Sequence, residues 1–316
     1  MVKSQSVFAI VASFPSALQS IYLAMRRRSD SLMQVRLSEE QLAFYKQHHY
    51  VVLRQVVPQR ALDRATQIIS KWVDELVDVW YDQKLITDKR YDLDFQHRLV
   101  EMWDAAGKPK YSRSPRRDLI GKPMYQFLKE PALVDIASQL LGTEDVSVHG
   151  IFNARPKLPD QKWTDTPWHQ DAQYYRDAEH THVVSMWMPL QRVTEYNSCL
   201  QVAPGFFDST LLDGEIDAET DFLGLKREDA NTLTGISIEM DPGDVLCFTQ
   251  LLPHRALPNR SDAVRWSMDI RYEATAVATE SGMRQGFIAR SPHNPQLETS
   301  CDEWLSKWVS IPAGSY

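Results

Sequence analysis

The sequence contains few cysteines and no excess of positive charge. Its three cysteines among 316 residues show neither disulfide nor metal-site spacing. Cys199 and Cys247 lie in apolar, strand-like segments, so we expect buried free thiols in a reducing compartment such as the cytoplasm. The 42 acidic residues outnumber the 35 basic residues and give a formal net charge of -7. This charge argues against a nucleic-acid partner held by a basic surface.

The chain also lacks a long uninterrupted apolar run. The apolar stretch from Val7 to Met25 is broken by serine, proline and glutamine, and is too polar to predict a membrane-spanning helix. No acidic residue precedes Asp30, which is typical of an organelle transit peptide. A helix packed on the domain or on a partner subunit is an equal alternative. We predict an N-terminal extension over residues 1–36, a single domain over 37–316 and no stable membrane insertion.

The order of the predicted elements indicates the fold class. The early elements are a helix capped by Ser38, a strand at 50–53, a helix opened by Pro58 and a helix from Pro131 that stops at Gly142. From about residue 145 the chain becomes rich in strand-like segments. Helices followed by strands predict an α+β fold, with helices packed on one face of a mainly β core. Residues 207–235 are predicted to form a long insertion between core strands.

Two histidines and one aspartate form the most informative pattern. His169 and Asp171 are two residues apart, and His254 follows 83 residues after Asp171. Two imidazoles and a carboxylate are the ligand set of a facial triad for non-haem iron. A chance match is the alternative, since the chain has nine histidines. Apolar runs at 183–188 and 245–248 predict buried strands, whose ends would bring the three side chains together.

Arg265 follows His254 by eleven residues, with a turn-forming segment at 258–262 between them. We predict a hairpin that returns Arg265 to a position beside His254. An arginine flanked by apolar residues in a strand is predicted to point inward, where a bidentate carboxylate is its best partner. The alternative is a side chain on the solvent face of an edge strand.

At these positions the sequence resembles the phytanoyl-CoA dioxygenase family of Fe(II)/2-oxoglutarate-dependent oxygenases, over roughly residues 38–275. The resemblance is carried by His169-x-Asp171, His254, Arg265, Trp187, the Asn197–Gly205 stretch and Asn153–Pro156. It implies a double-stranded β-helix in which His169, Asp171 and His254 bind the catalytic Fe(II). It also implies that Arg265, with Trp187 nearby, holds 2-oxoglutarate.

The resemblance further implies the reaction. O₂ and 2-oxoglutarate would be consumed, succinate and CO₂ released, and an unactivated C–H bond of a small-molecule metabolite oxidised. Since Asp171 is present, hydroxylation or a related oxidation is favoured over the halogenation seen in relatives with a small residue there. The chain departs from the family at Ser198, at Arg255-Ala256, where a serine is usual, and at Phe206-Phe207. The hydroxyl that commonly contacts the 2-oxoglutarate carboxylate is therefore missing.

Several assignments stay open on sequence alone. Trp168, Tyr174 and Tyr175 flank the triad and are candidates for substrate binding, with core packing as the alternative. Arg255 is a further candidate, with a surface position as its alternative. The rival functions are a cupin-like metal enzyme that does not use 2-oxoglutarate and a non-catalytic metal-binding barrel. A homodimer and organelle targeting by residues 1–30 are also left open.

Overall fold

A computed structural model describes residues 34–111, 115–175, 183–205 and 210–309 of the chain. The predicted N-terminal extension lies almost wholly outside these ranges, as do Phe206 and Phe207. From Arg36 onward the chain forms one compact unit. Within the described ranges, no helix combines the length and the apolar character needed to cross a bilayer.

The first half of the described chain is mainly helical, and the second half is rich in strands. The helices are α1 Glu39–His48, α2 Gln59–Asp82, α3 Arg98–Ala105, α4 Lys122–Leu128, α5 Pro131–Leu141, α6 Arg227–Ala230, α7 Glu280–Gln285 and α8 Cys301–Val309. The strands are β1 Tyr50–Leu53, β2 Val146–Val148, β3 Asn153–Lys157, β4 Thr166–His169, β5 Val183–Pro189, β6 Leu200–Val202, β7 Gly214–Asp217, β8 Phe222–Leu225, β9 Ile236–Ile238, β10 Val245–Thr249, β11 His254–Ala256, β12 Arg265–Ala274 and β13 Phe287–Arg290.

Two antiparallel sheets enclose the core. The larger has seven strands in the order β1-β10-β5-β12-β2-β13, with β3 also paired to β12. The smaller has four strands in the order β4-β11-β6-β9. One apolar cluster draws residues from both sheets, including Trp187 and Phe248 from the larger and Leu200 and Ile238 from the smaller. This arrangement of facing sheets with flanking helices confirms the predicted α+β, double-stranded β-helix fold.

Strand β12 shows that one face of the larger sheet packs against helices and that the other faces the interior of the barrel. Trp266 packs edge-on against Trp72 of α2, with ring centroids 6.1 Å apart. The hydroxyl of Tyr272 donates to the carbonyl of Leu128 at the end of α4. Since side chains alternate along a strand, the intervening residues of β12 point to the opposite face, which is the interior of the barrel.

Most locally encoded predictions of secondary structure are confirmed. The Ser38 hydroxyl accepts from the Gln41 amide at 3.2 Å and completes the capping box of α1. Helix α5 begins at Pro131 and ends at Leu141, and it is capped by Gly142, whose φ of 70° is the left-handed conformation that glycine adopts easily. Pro58 is the N-cap residue of α2, so the predicted helix start is off by one position.

The predicted hairpin between His254 and Arg265 is wrong. His254 begins β11 in the four-stranded sheet, whereas Arg265 begins β12 in the seven-stranded sheet. The Asn259 side-chain amide donates to the carbonyls of Lys157 and Ala263, each at 2.8 Å, and fixes the segment that crosses between the sheets. The turn residues were identified correctly, but they connect two sheets rather than two neighbouring strands.

The predicted insertion carries its own secondary structure. Residues 206–209 lie outside the described ranges, and the part that follows forms the β7–β8 hairpin and the short helix α6. The hairpin is held against the smaller sheet: the hydroxyl of Tyr174 donates to the carbonyl of Leu223 in β8 at 2.6 Å. The insertion thereby brings Phe222 to the rim of the barrel interior.

Candidate metal centre

The two sheets bring His169, Asp171 and His254 together. His169 ends β4 and His254 begins β11, and the two residues are direct partners in the antiparallel pairing. Asp171 starts the 3₁₀ turn that follows β4. One ligand atom from each residue lies within 4.8 Å of the others, and all three side chains are buried. The sequence therefore identified three residues that the fold places around one point.

Both imidazoles are oriented through their Nδ1 atoms. Nδ1 of His169 donates to the Pro167 carbonyl at 2.9 Å, and Nδ1 of His254 donates to the Leu252 carbonyl at 3.0 Å. Because a carbonyl can only accept, the proton sits on Nδ1 and each Nε2 keeps a free lone pair. Burial lowers the pKa of His169 to about 3 and also lowers that of His254. Both rings are therefore neutral near pH 7, as metal coordination requires.

The carboxylate of Asp171 is held by a buried arginine that the sequence analysis missed. Nη2 of Arg271 donates to Oδ1 at 2.7 Å and Nε donates to Oδ2 at 3.0 Å, while the Ser185 hydroxyl also donates to Oδ2. Burial opposes ionisation, but the charge and hydrogen bonds of Arg271 hold the pKa of Asp171 well below its usual value. Oδ2 accepts two hydrogen bonds and Oδ1 only one, so Oδ1 retains a lone pair for a metal ion.

A cavity opens beside this cluster and is lined by residues of both sheets. His169 and His254 contribute to its wall together with Trp187, Phe222 and Arg265. Neither Phe222 nor its hairpin was connected with the site by sequence reasoning. The position of Phe222 in a long insertion was the only signal in the sequence.

Arg265 is a buried cation that faces this cavity. Its Nη1 donates to the hydroxyl of Ser267 at 2.5 Å, and its guanidinium lies 5.3 Å from the centroid of the Trp187 ring. Its Nε has no hydrogen-bond partner, and no carboxylate of the described residues forms an ion pair with it. Burial, and then the nearby charge of Arg155, lower the pKa of Arg265 to about 9. A buried guanidinium without a carboxylate partner can accept an anionic group from a ligand.

The residues predicted to bind substrate occupy different positions. Trp168 packs in an apolar cluster, and Arg255 stacks on it at 4.8 Å while donating to Gln201. Both line a groove that adjoins the cavity rather than the wall of the cavity itself. Tyr175 is buried against His149, with ring centroids 4.7 Å apart. The Tyr174 ring lies edge-on to His169 at 6.1 Å. Of the four, Tyr174 is the residue whose ring packs against a member of the metal cluster.

Comparison with known proteins agrees with this geometry. The model of the phytanoyl-CoA dioxygenase family matches residues 45–267. A probable phytanoyl-CoA dioxygenase of Caenorhabditis elegans is 25% identical over 248 residues, covering 75% of each chain. A methylphosphonate hydroxylase of Gimesia maris is 25% identical over 277 residues, covering 86% of this chain and 94% of its own. The crystal structure of EctD from S. alaskensis with 2-oxoglutarate and 5-hydroxyectoine superposes with a TM-score of 0.51 at 18% identity, covering 77% of this chain and 78% of that one.

The chain belongs to the phytanoyl-CoA dioxygenase family. It is an oxidoreductase that depends on Fe(II) and 2-oxoglutarate and uses O₂ as co-substrate. The predictions of family, reaction class and cofactors are confirmed. The chain's own donor set is consistent with them, because two neutral imidazoles and one ionised carboxylate are the ligands of non-haem Fe(II) oxygenases.

Proposed function

We propose that His169, Asp171 and His254 hold the Fe(II), and that Arg265 and Trp187 hold 2-oxoglutarate. The reaction is hydroxylation, or a related oxidation of an unactivated C–H bond, of a small-molecule metabolite with release of succinate and CO₂. The observation that carries this proposal is a buried arginine without a carboxylate partner among the described residues, lining the same cavity as the histidine pair. Neither rival function has a need for such an arginine.

The residues around the cavity serve to place the reactants, while the bound iron with 2-oxoglutarate and O₂ supplies the oxidising chemistry. Arg265 would grip the far carboxylate of 2-oxoglutarate, which leaves the keto acid end for the metal. The apolar rings of Trp187, Phe222 and Phe248 line the cavity and would exclude water from it.

Asp171 favours hydroxylation over halogenation. A halide would need the coordination position that this carboxylate takes. Arg271 and Ser185 hold the carboxylate in place with three hydrogen bonds, so it is built into the site rather than loosely present. We further propose a reducing, cytoplasmic location, since Cys199 and Cys247 are buried free thiols.

The proposal is tested by anaerobic titration of the Fe(II)-loaded protein with 2-oxoglutarate. We expect a metal-to-ligand charge-transfer band in the wild type, no band in His254→Ala, and at least tenfold weaker 2-oxoglutarate binding in Arg265→Met. Arg192→Met is the control, because its side chain is 62% exposed and pairs with Asp241 at the surface. A wild-type protein that binds Fe(II) but develops no band would favour a metal enzyme that does not use 2-oxoglutarate.

The substrate is sought by measuring succinate release across a library of metabolites. Stimulation by one compound well above the uncoupled rate would identify the substrate class. If the charge-transfer band forms and no compound stimulates release, iron and co-substrate binding would stand and the library would lack the substrate. If neither occurs, the two rival functions, a metal enzyme that does not use 2-oxoglutarate and a non-catalytic barrel, would both be better descriptions than the proposed one.

A further inference from the structure

A second buried cation lies beside Arg265. Lys157 in β3 is the direct partner of Arg265 in β12, and both side chains line the cavity. Their exposed fractions are 1% and 2%. Burial lowers the pKa of Lys157 to about 8, opposed by Asp165 and reinforced by the charge of Arg265. Two positive groups are thus held next to each other out of water, which is costly unless negative charge is supplied.

The described residues that line the cavity supply less negative charge than these cations need. The two carboxylates in the wall are Asp165 and Asp269. Asp269 is already bonded by Arg271 at 3.1 Å. Asp165 pairs with Lys157 at 2.6 Å, which leaves Arg265 without a carboxylate. One further carboxylate, brought by a ligand, would neutralise the row formed by Lys157 and Arg265.

The wall around Arg265 offers few other donors to such a carboxylate. Ala256 lines the cavity and has no hydroxyl. The hydroxyl of Ser267 accepts from Arg265. Thr164 and Thr166 also line the cavity, and the Thr164 hydroxyl already donates to the Gln161 carbonyl. Arg155 is a further cation in the wall and pairs with Asp269 at 3.3 Å. The ammonium of Lys157 has three protons and one carboxylate partner, Asp165, so it can donate to a second carboxylate.

We propose that Lys157 is a second cation for the far carboxylate of 2-oxoglutarate, acting with Arg265. Asp165 competes with that carboxylate for the ammonium of Lys157 when the co-substrate is absent. This inference rests on the proposed function, because it takes 2-oxoglutarate as the ligand of Arg265. Its consequence is co-substrate selectivity: Lys157 favours dicarboxylic over monocarboxylic 2-oxo acids.

The first test compares two 2-oxo acids with the same chain of five carbons. Dissociation constants of 2-oxoglutarate and 2-oxopentanoate are measured anaerobically on the Fe(II) protein from the charge-transfer band. Lys157→Met should weaken 2-oxoglutarate binding at least tenfold, or about 1.4 kcal/mol, and leave 2-oxopentanoate within twofold. Lys162→Met is the matched control, because this lysine is 70% exposed and pairs with Glu219 at the surface. An equal effect on both acids, or none, would overturn the inference.

The second test predicts a gain of affinity. Asp165→Asn should tighten 2-oxoglutarate binding in the wild-type background, because Lys157 is released from its competitor. The same change should have no effect in the Lys157→Met background. Tightening in both backgrounds would mean that Asp165 acts by general repulsion, and would overturn the competition between the two carboxylates.

The remaining outcomes are also decisive. Lys157→Arg should keep 2-oxoglutarate affinity within about threefold. If Lys157→Met fails to fold, Lys157→Arg and Asp165→Asn are used to test the inference instead. Loss of affinity in Lys157→Arg with normal folding would count against a role based on charge. If the wild type binds neither acid, the proposed function falls and this inference with it. If the wild type binds 2-oxoglutarate and Lys157→Met binds it equally well, this inference alone falls.

Discussion

Replacing Arg271 with methionine should strongly destabilise the metal-free protein. Arg271 is buried between Asp171 and Asp269, with Nη2 at 2.7 Å from the first carboxylate and Nη1 at 3.1 Å from the second. Those carboxylates hold the pKa of Arg271 above its usual value even though burial opposes its charge. Methionine fills much of the space but leaves two buried carboxylates without their shared cation. Removing one partner of a buried ion pair costs about 3–5 kcal/mol.

The measurement is urea-induced unfolding of the metal-free protein at neutral pH, for the wild type and two variants. Arg192→Met is the control: its ion pair with Asp241 is solvent-exposed, and such pairs contribute about 0–1 kcal/mol. A loss of 1 kcal/mol or less in Arg271→Met would refute the reasoning, because it would mean that Asp171 and Asp269 do not depend on this cation.

Replacing Arg271 with methionine should also change metal binding. Groups that orient a metal ligand typically change metal affinity by about 10–100-fold when they are removed. We therefore expect Fe(II) to bind Arg271→Met at least tenfold more weakly, measured by anaerobic titration of protein that is folded at the start. Unchanged Fe(II) affinity in a folded variant would show that the histidine pair alone sets the position of the metal.

Four further outcomes are expected. Asp171→Ala should abolish substrate-coupled succinate formation, and full activity in that variant would refute the triad. Burial raises the pKa of Glu273 to about 7, above the pKa of a glutamate in the unfolded chain. Between these two pKa values the folded state binds more protons than the unfolded state, so the protein loses stability as the pH rises towards 7. Glu273→Gln should therefore be about 1–3 kcal/mol more stable than wild type at pH 8 and equal to it near pH 4.5 in urea unfolding; a constant difference would contradict this. Trp168→Ala should cost about 3–5 kcal/mol of stability, because its ring is buried in an apolar cluster. Arg255→Ala should leave 2-oxoglutarate affinity within twofold, because its guanidinium stacks on Trp168 and is not part of the wall around Arg265; a tenfold loss in Arg255→Ala would place it in the site.

Features encoded by neighbouring residues could be predicted from the sequence. The capping box of Ser38 and the glycine that ends α5 depend on backbone geometry within one turn. The triad could be predicted because only a few residue types bind Fe(II), and their order in the chain matched a known pattern. The crossing between β11 and β12 could not, because a turn sequence specifies a change of direction and not the sheet that the chain joins next.

The sequence of strand β12 has a pattern that could have indicated Arg271 as part of the site. Residues 265–274 alternate strictly between polar and apolar side chains, which in an antiparallel sheet usually means a polar face in water and an apolar face in the core. In this protein the two faces of β12 have the opposite environments. Helices cover the apolar face through contacts such as Trp266 with Trp72, and the polar face points into the barrel.

This inversion explains why one strand supplies so much of the site. Arg265, Ser267, Asp269 and Arg271 follow each other at every second position, and all are buried. Such a row is stable only if each charge has a partner. Arg271 has Asp171 and Asp269, whereas Arg265 has no carboxylate among the described residues. Arg271, which holds Asp171, and Arg265, which we propose holds 2-oxoglutarate, therefore differ in their partners, although the alternation of polar and apolar residues treats the two arginines alike.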